Sequence, residues 1–596
     1  MYGYHGKYLR INLTEGTCKV ENLDLELAKK WVGGRGLGTK FFVDEVDPLV
    51  DALSPENKLI AVTGPMTGTT APTGGRYMVV TKSPLTGTIA SSNSGGYWGA
   101  ELKFAGYDMI IVEGKSDKPV YVMIEDEKVE IRDASHVWGK VTSDTTRTLM
   151  KEIPEKSRVM TIGPAGEKQS LMAAVMNEES RAAGRSGVGA VMGSKNLKAV
   201  TVRGTKKVAV ANEEELKEVI KTCNTKIREN GVTGQGLPAY GTAVLVNIIN
   251  ENGAFPVNNF QSSQFPGAEN ISGELLAEKY LVKKDPCYRC PIACGRYTKV
   301  DDIEGGGPEY ETIWAFGGDC GVDDMGAIIK ANYWCNEMGL DTISTGTTIA
   351  AAMELNQKGL LKDENLGGVP LEFGSAEAIV EWTKKIGMRE GLGDKMADGS
   401  YRLCDAFGVP ELSMSVKKQE LPAYDPRGIQ GQGLSYATSN RGGCHVRGYM
   451  ISPEILGLPE KLDRFALEDK APWTKIFQDF TAFIDSSGLC LFTSFAMGAP
   501  DYAAMFNAIV GAELDGNGVL EAGERIYNLE RVFNLAAGIT PAEDTLPKRL
   551  LEDEIPEGPS KGLVNQLSKM LPEYYELRGW GTDGVPSKER KDQLGL

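Results

Sequence analysis

The first part of the chain alternates apolar and polar residues with the two-residue period of β-strands. Residues 9–13 place Leu, Ile and Leu on one face, a Thr-Glu-Gly-Thr turn follows, and residues 18–20 resume the alternation. A second hairpin pattern has its turn near Asp126, and three more apolar runs are bounded by Gly, Pro or Thr, at 59–62, 78–80 and 109–112. These patterns predict a β-sheet domain over the first ~205 residues.

The pattern becomes helical after Val208. Asn212 followed three residues later by Glu215 is a helix-start signal, and the apolar residues that follow keep helical spacing. Farther on, residues 328–338 predict a helix that ends at Gly339, and a second helix is expected to run to Leu355. The predicted fold class is α+β, with an N-terminal β-sheet domain followed by two mostly helical domains. We place them at 1–208, 209–415 and 416–596, with the second boundary near the Pro- and Gly-bearing stretch 420–433.

Size and charge narrow the class of protein. A chain of 596 residues exceeds the size of one core, so several packed domains with room for a large cofactor are expected. The formal charge of −16 argues against a nucleic-acid partner. No apolar run is long enough to span a bilayer, and no secretory signal is visible near Met1, so we expect a cytoplasmic protein without a membrane partner.

Ten cysteines in a cytoplasmic chain are better interpreted as metal ligands or core thiols than as disulfides. Cys287, Cys290 and Cys294 lie in one short segment whose Pro and Gly neighbours favour a loop. This spacing suits an iron–sulfur cluster, which would need a fourth thiol from elsewhere. A zinc site is the main alternative, although it usually repeats the C-x-x-C pair or adds histidines. Inert core thiols are the third possibility.

Two turns nearly 150 residues apart share a polar-x-x-Gly-Leu-polar form. The first holds Asn336, Gly339, Leu340 and Asp341, and the second holds Asp485, Gly488 and Leu489. Standing alone, each would be an ordinary glycine-capped helix end. Their repetition suggests a repeated ligand, and the second turn leads into Cys490, which is a natural fourth thiol for the cysteine loop.

Three segments rich in Gly, Ser and Arg lie between predicted strands, at 74–76, 91–96 and 181–189. Backbone amides and guanidinium groups in such segments can bind phosphate, and the arginines concerned are Arg76, Arg181 and Arg185. Each segment is a weak signal alone. The glycines at 34–38 superficially match a dinucleotide fingerprint, but the strand and clean βαβ unit that the fingerprint requires are missing.

Taken together, these motifs closely resemble the tungsten-containing aldehyde ferredoxin oxidoreductase family. The resemblance runs nearly end to end, through the segments at 33–38, 92–98, 181–198, the cysteine loop, both Gly-Leu turns and 577–581. It implies a two-sheet N-terminal domain, two helical domains, and a tungsten or molybdenum bis-pterin cofactor at their junction beside a [4Fe-4S] cluster. The implied cluster ligands are Cys287, Cys290, Cys294 and Cys490. The implied contacts with the pterin phosphates and a bridging Mg²⁺ are Arg76, Asn93, Gly95, Arg181 and Ala182, with Asn93 and Ala182 at the magnesium. Each Gly-Leu turn would bind one pterin.

The chain departs from the family pattern in two places. The first turn begins with Asn336 where the family usually has Asp, which keeps an acceptor and loses a charge. Some relatives carry a Glu-x-x-His metal site at a dimer interface, but no histidine lies between His136 and His445 here. We therefore predict that this site is absent, so a homodimer cannot depend on it.

The same resemblance places Glu311 and His445 over the metal, with Tyr310 in the pocket wall. His445 would polarise an aldehyde carbonyl and Glu311 would act as general base. We expect oxidation of aldehydes to acids, with the reverse reduction open, and electrons passing to ferredoxin or a small polyferredoxin subunit. The choice of metal, the aldehyde and the physiological direction are not fixed by the sequence. Competing interpretations are a ring-reducing aromatic acyl-CoA enzyme, which lacks the Glu and His pair, an electron-transfer subunit, and a zinc-stabilised structural protein.

Overall fold

A computed structural model describes residues 1–596. The N-terminal part contains two six-stranded sheets, as predicted, with strand orders β2-β1-β6-β3-β4-β5 and β11-β10-β9-β12-β7-β8. The strands are β1 Lys7–Asn12, β2 Thr17–Asn22, β3 Leu59–Thr63, β4 Tyr77–Lys82, β5 Ile89–Ser94, β6 Met109–Glu113, β7 Val120–Glu125, β8 Lys128–Asp133, β9 Arg158–Thr161, β10 Val175–Asn177, β11 Arg181–Ala183 and β12 Leu197–Arg203.

Both predicted hairpins are confirmed. Strands β1 and β2 pair antiparallel with Leu9 opposite Val20, and β7 and β8 pair antiparallel across a turn in which Asp126 has a positive φ. The alternation is confirmed in β1, where Leu9 and Ile11 are fully buried, but it fails in β2, where Val20 lies opposite Leu9 and is nevertheless exposed because β2 is the edge strand of the sheet. Only the pairs β1/β6 and β7/β12 are parallel, and each is joined by a long connection through other elements.

The inner faces of the two sheets share one apolar cluster of 27 buried residues, to which Leu9, Val79, Val122 and Val200 contribute. The other face of the first sheet packs against the helix Gly34–Glu45 and joins a second cluster of 112 buried residues that continues through the rest of the chain. One continuous core therefore joins the sheet domain to the helices, and the loops at the edge of the sheets lie against the helical part.

The N-terminal part also contains six helices. The rest of the chain is mostly helical, as predicted. The first six are α1 Leu25–Trp31, α2 Gly34–Glu45, α3 Trp98–Ala105, α4 Thr142–Leu149, α5 Pro164–Glu167 and α6 Val188–Ser194. The central part contains α7 Glu213–Glu229, α8 Leu237–Tyr240, α9 Leu245–Glu251, α10 Gly273–Lys279, α11 Tyr310–Phe316, α12 Met325–Met338, α13 Thr342–Gln357, α14 Asp363–Leu366, α15 Ala376–Met388, α16 Leu392–Met396 and α17 Ser400–Ala406. The last part contains α18 Gln430–Thr438, α19 Lys470–Ser487, α20 Ala499–Val510, α21 Gly516–Ala536, α22 Lys548–Glu552, α23 Leu567–Arg578 and α24 Lys588–Leu594.

The helix signals at the two predicted starts are confirmed. Asn212 accepts a hydrogen bond from the Glu215 amide at 3.1 Å and caps α7. Gly339 ends α12 in the left-handed conformation at φ 71°, and Asp341 caps α13 by accepting from the amides of the two residues after Thr342. The predicted boundary near residues 420–433 stays a prediction.

The helical region also contains strands that the sequence pattern did not predict. A three-stranded antiparallel sheet is formed by β13 Leu281–Lys284, β14 Arg296–Val300 and β15 Ile303–Gly306, and a short pair by β16 Ser415–Val416 and β17 Gln419–Glu420. The cysteine loop connects β13 to β14, so this small sheet fixes both ends of the loop. No helix of the chain combines the length and the apolar character needed to cross a membrane.

Candidate active site at the domain junction

A cavity of about 480 Å³ lies between the loops of the sheet domain and the helical part. Its wall includes residues from both sides, which meet there because the strand ends and the helix starts face the same space. Most of the predicted site residues line it, namely Arg76, Gly95, Arg181, Ala182, Cys287, Cys294, Tyr310, Glu311, Asn336, Leu340, Asp341 and His445.

The four predicted cluster cysteines line a smaller cavity next to the first, together with Thr73, Gly75, Arg76 and Phe492. Cys490 reaches this place through a left-handed turn at Gly488 (φ 92°), and its amide donates to Thr73 Oγ1 at 3.0 Å. A Cβ atom on Gly95 would lie 2.9 Å from Cys287 Sγ, so only glycine leaves room for the thiol there. No carboxylate or imidazole lines this cavity.

Arg76 joins the two cavities. Its guanidinium donates to Cys490 Sγ at 3.1 Å and to Asn93 Oδ1 at 3.0 Å, which places Asn93 behind the arginine and outside the wall of the large cavity. Burial disfavours the charged guanidinium, but the neighbouring thiols more than offset this and raise its pKa. The arginine thus supplies a fixed positive charge at the thiols.

Burial raises the pKa of Cys290 to about 11 and that of Cys294 well above its ordinary value, and neighbouring acidic groups add to both shifts. Thiolates rather than thiols are metal ligands, so proton release from these two cysteines is linked to the binding of a positive group.

Glu311 and His445 form a buried carboxyl and imidazole pair on the wall of the large cavity. Glu311 lies in the first turn of α11, where its Oε2 accepts from the Ala423 amide at 2.9 Å. Its Oε1 has no hydrogen-bond partner and lies 3.5 Å from His445 Nε2, and His445 Nδ1 is also buried without a partner. Unpaired buried polar atoms are costly, so these two are well placed to bind a ligand in the cavity.

The environment sets the protonation of both groups. Burial raises the pKa of Glu311 to about 8 in spite of the hydrogen bond from Ala423. Burial lowers the pKa of His445 well below its ordinary value, and the positive charges of Arg185 and Arg441 lower it further. At neutral pH the histidine is therefore neutral and most Glu311 is protonated.

Tyrosines surround the pair. The Tyr310 hydroxyl donates to the Ala423 carbonyl at 2.9 Å, so this predicted residue positions the segment that also binds Glu311. Tyr424 and Tyr449 line the cavity with their rings about 6 Å from the His445 ring, at 6.0 and 6.2 Å between centroids. Their hydroxyl groups lie 3.1 Å apart and share a hydrogen bond. Neither tyrosine was predicted from the sequence.

The two Gly-Leu turns differ in their surroundings. In the first, Asp341 lines the large cavity and is paired with Arg185 at 3.1 Å, while Gly339 packs against Gly163 away from the cavity. Arg185 itself lies behind that wall, where it donates to the Glu420 and Gly443 carbonyls.

In the second turn, none of Asp485, Gly488 and Leu489 lines the large cavity. Asp485 lies in the last turn of α19, buried against Arg447 and, at 3.4 Å, Arg35. Sequence reasoning missed both arginines, since nothing local marks them as partners of a residue far along the chain.

Another unpredicted feature lies next to His445. Cys444 is fully buried, and its sulfur accepts from Arg441 Nη2 at 3.1 Å. Burial alone would raise its pKa, but Arg441, Arg447 and Arg185 together lower it. The sequence signal was the density of arginines at 441–447, which includes one on each side of this thiol.

Part of the cavity wall is apolar and was also not predicted. It comes largely from the segment 231–248, where a turn of π-helix (Val232–Gly236) precedes α8 and α9, and from residues near the second turn. The apolar side chains are Val232, Leu237, Val244, Leu245, Ile248, Leu456, Phe492 and Phe495. These apolar side chains suit the carbon skeleton of a small organic molecule.

The fold and the site define a class of protein: a sheet domain and helices that enclose a buried acid–base pair beside a convergent set of thiols, as expected of an oxidoreductase with a large cofactor. The family model for the N-terminal domain of aldehyde ferredoxin oxidoreductase matches residues 8–204, and that for domains 2 and 3 matches residues 218–596. The chain belongs to the aldehyde ferredoxin oxidoreductase family.

Individual proteins agree with this assignment. The tungsten-containing aldehyde ferredoxin oxidoreductase of Pyrococcus furiosus is 58% identical over 601 residues, covering 100% of this chain and 99% of the relative. That of Thermococcus kodakarensis is 56% identical over 601 residues with the same coverage. Among solved structures, the active site complex BamBC of benzoyl coenzyme A reductase has a TM-score of 0.86 at 27% identity and covers 100% of this chain and 97% of its own.

Proposed function

We propose that this chain oxidises aldehydes to carboxylic acids at a tungsten bis-pterin centre and passes the electrons through a [4Fe-4S] cluster to ferredoxin. One aldehyde and one water yield a carboxylate, three protons and two electrons, and each ferredoxin accepts one electron. The observation that carries the proposal is the buried Glu311 and His445 pair, whose unpartnered atoms lie at a cavity that adjoins four cysteines.

The residues present fit the proposed cofactors. Four thiols from two distant segments share one cavity, while no three His, Cys, Asp or Glu side chains form a group that could hold a single metal ion. This arrangement supports a [4Fe-4S] cluster on Cys287, Cys290, Cys294 and Cys490 over a zinc ion, since zinc needs its ligands around one centre.

The large cavity has features suited to a pterin with phosphate groups. Arg76 and Arg181 line it and bring positive charge, and Asp341 and Asn336 supply acceptors and donors for a polar ring. We assign one pterin to the turn at 336–341 and one to the turn at 485–489, with Mg²⁺ near Asn93 and Ala182. When bound, the tungsten centre accepts two electrons from the substrate, chemistry that no side chain supplies.

The protein's own groups bind the substrate and move its protons. Neutral His445 donates one N–H bond to the carbonyl oxygen, where negative charge develops. Glu311 in its ionised form removes a proton from the attacking water through Oε1, the oxygen that has no partner. The apolar wall at 231–248 holds the carbon chain and excludes bulk water from the pair.

The likeness to benzoyl coenzyme A reductase raises ring reduction as a second activity. Glu311 and His445 are both present and directed at the cavity, an arrangement that suits carbonyl chemistry. We therefore place the chain with the aldehyde-oxidising members. A cytoplasmic location and a homodimer remain predictions from the sequence.

The test is elemental analysis of protein purified without oxygen, paired with aldehyde-dependent reduction of benzyl viologen. We expect about one tungsten and four irons per chain and activity on short and aromatic aldehydes. Zinc in place of iron, or iron without tungsten and without aldehyde activity, would refute the proposal. Activity on benzoyl-CoA alone would support ring reduction instead.

A further inference from the structure

The cysteine loop is the part of the proposed electron path that lies nearest to solvent. Pro286, Arg289 and Pro291 are exposed, and Cys287 and Cys290 are partly exposed, whereas Cys490 is buried. Since electron transfer between proteins requires a short distance between their centres, a protein that takes electrons from these thiols must contact this loop.

The surface around the loop carries positive charges without an acidic partner, although Lys283 Nζ lies 4.7 Å from the centre of the Tyr297 ring. Lys283, Lys284 and Arg289 are exposed, and none of their side chains makes a salt bridge or a hydrogen bond to the protein. The one acid in this stretch is Asp285, which is paired with Arg181 at 3.1 Å. A positive face of this kind is unexpected on a chain of formal charge −16.

Aromatic and apolar groups also lie at the loop. The Tyr97 hydroxyl donates to the Pro286 carbonyl at 3.3 Å, and the Tyr97 ring lies 6.2 Å from the Tyr288 ring. Arg158, another cation without a salt bridge, stacks on Tyr97 at 4.6 Å. Val282 is 51% exposed on the edge strand β13. Tyrosine and arginine with an apolar centre are typical of protein interfaces.

The positive face has a definite limit. Lys283 lines a pocket that also holds Glu179, Asp302 and Glu304, so the charge of the surface changes sign there. The positive face therefore centres on the cysteine loop and ends where this acidic pocket begins.

We propose that this face, formed by Tyr97, Arg158, Val282, Lys284, Tyr288 and Arg289, is the docking surface for an acidic ferredoxin. The proposal rests on the proposed function, in which the four cysteines hold the cluster. Charge complementarity selects the partner, because a local positive face on an acidic protein attracts an acidic carrier only in the productive orientation. A small electron carrier needs only a small interface of this kind.

Lysines on an edge strand have a simpler role as well, since they prevent strand pairing between molecules. If the lysines had only that role, replacing them would not change the rate of ferredoxin reduction. Docking predicts that the double variant Lys284→Glu/Arg289→Glu lowers kcat/KM for ferredoxin about tenfold at low salt, and that the remaining rate depends less on salt. Reduction of benzyl viologen by aldehyde should be unchanged, because a small acceptor needs no docking surface.

A matched control changes the same charge elsewhere. Lys561 and Lys569 are exposed and form no ion pair, so Lys561→Glu/Lys569→Glu alters the net charge equally. This control should keep kcat/KM for ferredoxin within about twofold of the parent. An equal fall in both doubles, or no fall in the loop double, would overturn the proposal.

Because Arg289 adjoins Cys290, iron content is measured in each variant. If the double variant loses iron, the single variant Lys284→Glu replaces it in the test. The single variant should then show a smaller fall of the same kind, and an unchanged rate would overturn the proposal. Direct titration of ferredoxin binding at several salt concentrations requires no aldehyde. It separates the two hypotheses, because binding that weakens in the loop variant supports docking even if the protein fails to oxidise aldehydes.

Discussion

The two sides of the active site use burial in different ways. On one side, burial raises the pKa of Cys290 and Cys294, so near neutral pH a bound positive group is needed to release their protons. On the other side, burial brings the pKa of Glu311 to about 8, so its charge changes with pH alone. The same physical effect thus produces a permanent ligand set on one side and a reversible base on the other. Arg76 bonds to the thiol side and lines both cavities, but it does not contact the Glu311 side.

The largest effect is expected from a substitution that disables the acid–base side alone. Glu311→Gln keeps the shape and the hydrogen bond from Ala423 but removes the base. We expect turnover of aldehyde to fall by about 10²- to 10⁴-fold, with tungsten and iron contents unchanged. Steady-state kinetics and elemental analysis on one preparation test both parts. Near-normal turnover would exclude Glu311 as the base.

A change on the thiol side should lower the iron content, in contrast to the change at Glu311. In Cys490→Ser the ligand that joins the second turn to the cysteine loop is lost, and Arg76 loses its sulfur acceptor. We expect a lower iron content and an altered cluster spectrum, measured by electron paramagnetic resonance, and a loss of ferredoxin reduction.

Cys404→Ser is the matched control, since this thiol is fully buried in the core and lines neither cavity. It should keep its iron. A Cys490→Ser protein with unchanged iron and an unchanged spectrum would contradict the ligand assignment.

The pH dependence should sharpen the comparison. Because the pKa of Glu311 is raised to about 8, its ionised fraction grows as pH rises through that value. We expect kcat/KM for aldehyde to increase by up to about tenfold per pH unit well below pH 8 and to level off above it. His445 stays neutral over this range, because its pKa is lowered. A profile that is flat from pH 6 to 9, or one that falls as pH rises, would count against Glu311.

Much of this arrangement was predictable from local patterns. The hairpins, the Asn212 cap and the Gly339 turn each depend on residues within a few positions, and the structure confirms them. The sheet formed by β13–β15 was not predictable by alternation, because strands such as Leu281–Lys284 are short and carry exposed lysines in place of apolar residues. Pairs such as Arg447 with Asp485 depend on the packing of distant segments, which one sequence does not record.

The residues of the candidate site were likewise predictable only where the sequence carries a distinctive motif. The thiols were located because their spacing is a distinctive motif, whereas Glu311 and His445 were located only through the family resemblance. Tyr449 and the wall at 231–248 carry residue types found in any core, so only the structure places them at the cavity. The family resemblance supplied the roles, while the sequence patterns alone left iron and zinc as alternatives.

A backbone change at the second turn tests how the thiol side is held in place. Gly488 has φ 92°, and a Cβ atom there would lie 2.2 Å from Thr67 Oγ1. We expect Gly488→Ala to lower the free energy of unfolding by about 1–3 kcal/mol, as measured by denaturant titration, and to reduce iron content by displacing Cys490. Gly87→Ala is a control, because it has a similar positive φ (75°) with open space around it. A loss of stability equal to that of the control would show that the close contact with Thr67 is unimportant.

The smallest effect is expected at the departure from the family pattern. Asn336 lines the large cavity, and its side-chain amide lies 3.5 Å from the Gly306 carbonyl, too far for a strong hydrogen bond. Asn336→Asp restores the usual carboxylate but adds charge near Glu337, whose pKa is already raised by burial. These two effects oppose each other, so we expect stability to change by less than about 0.5 kcal/mol and tungsten content to stay the same. A large gain in tungsten content or turnover would mean that the asparagine weakens the pterin site, and that the two turns differ in affinity as well as in position.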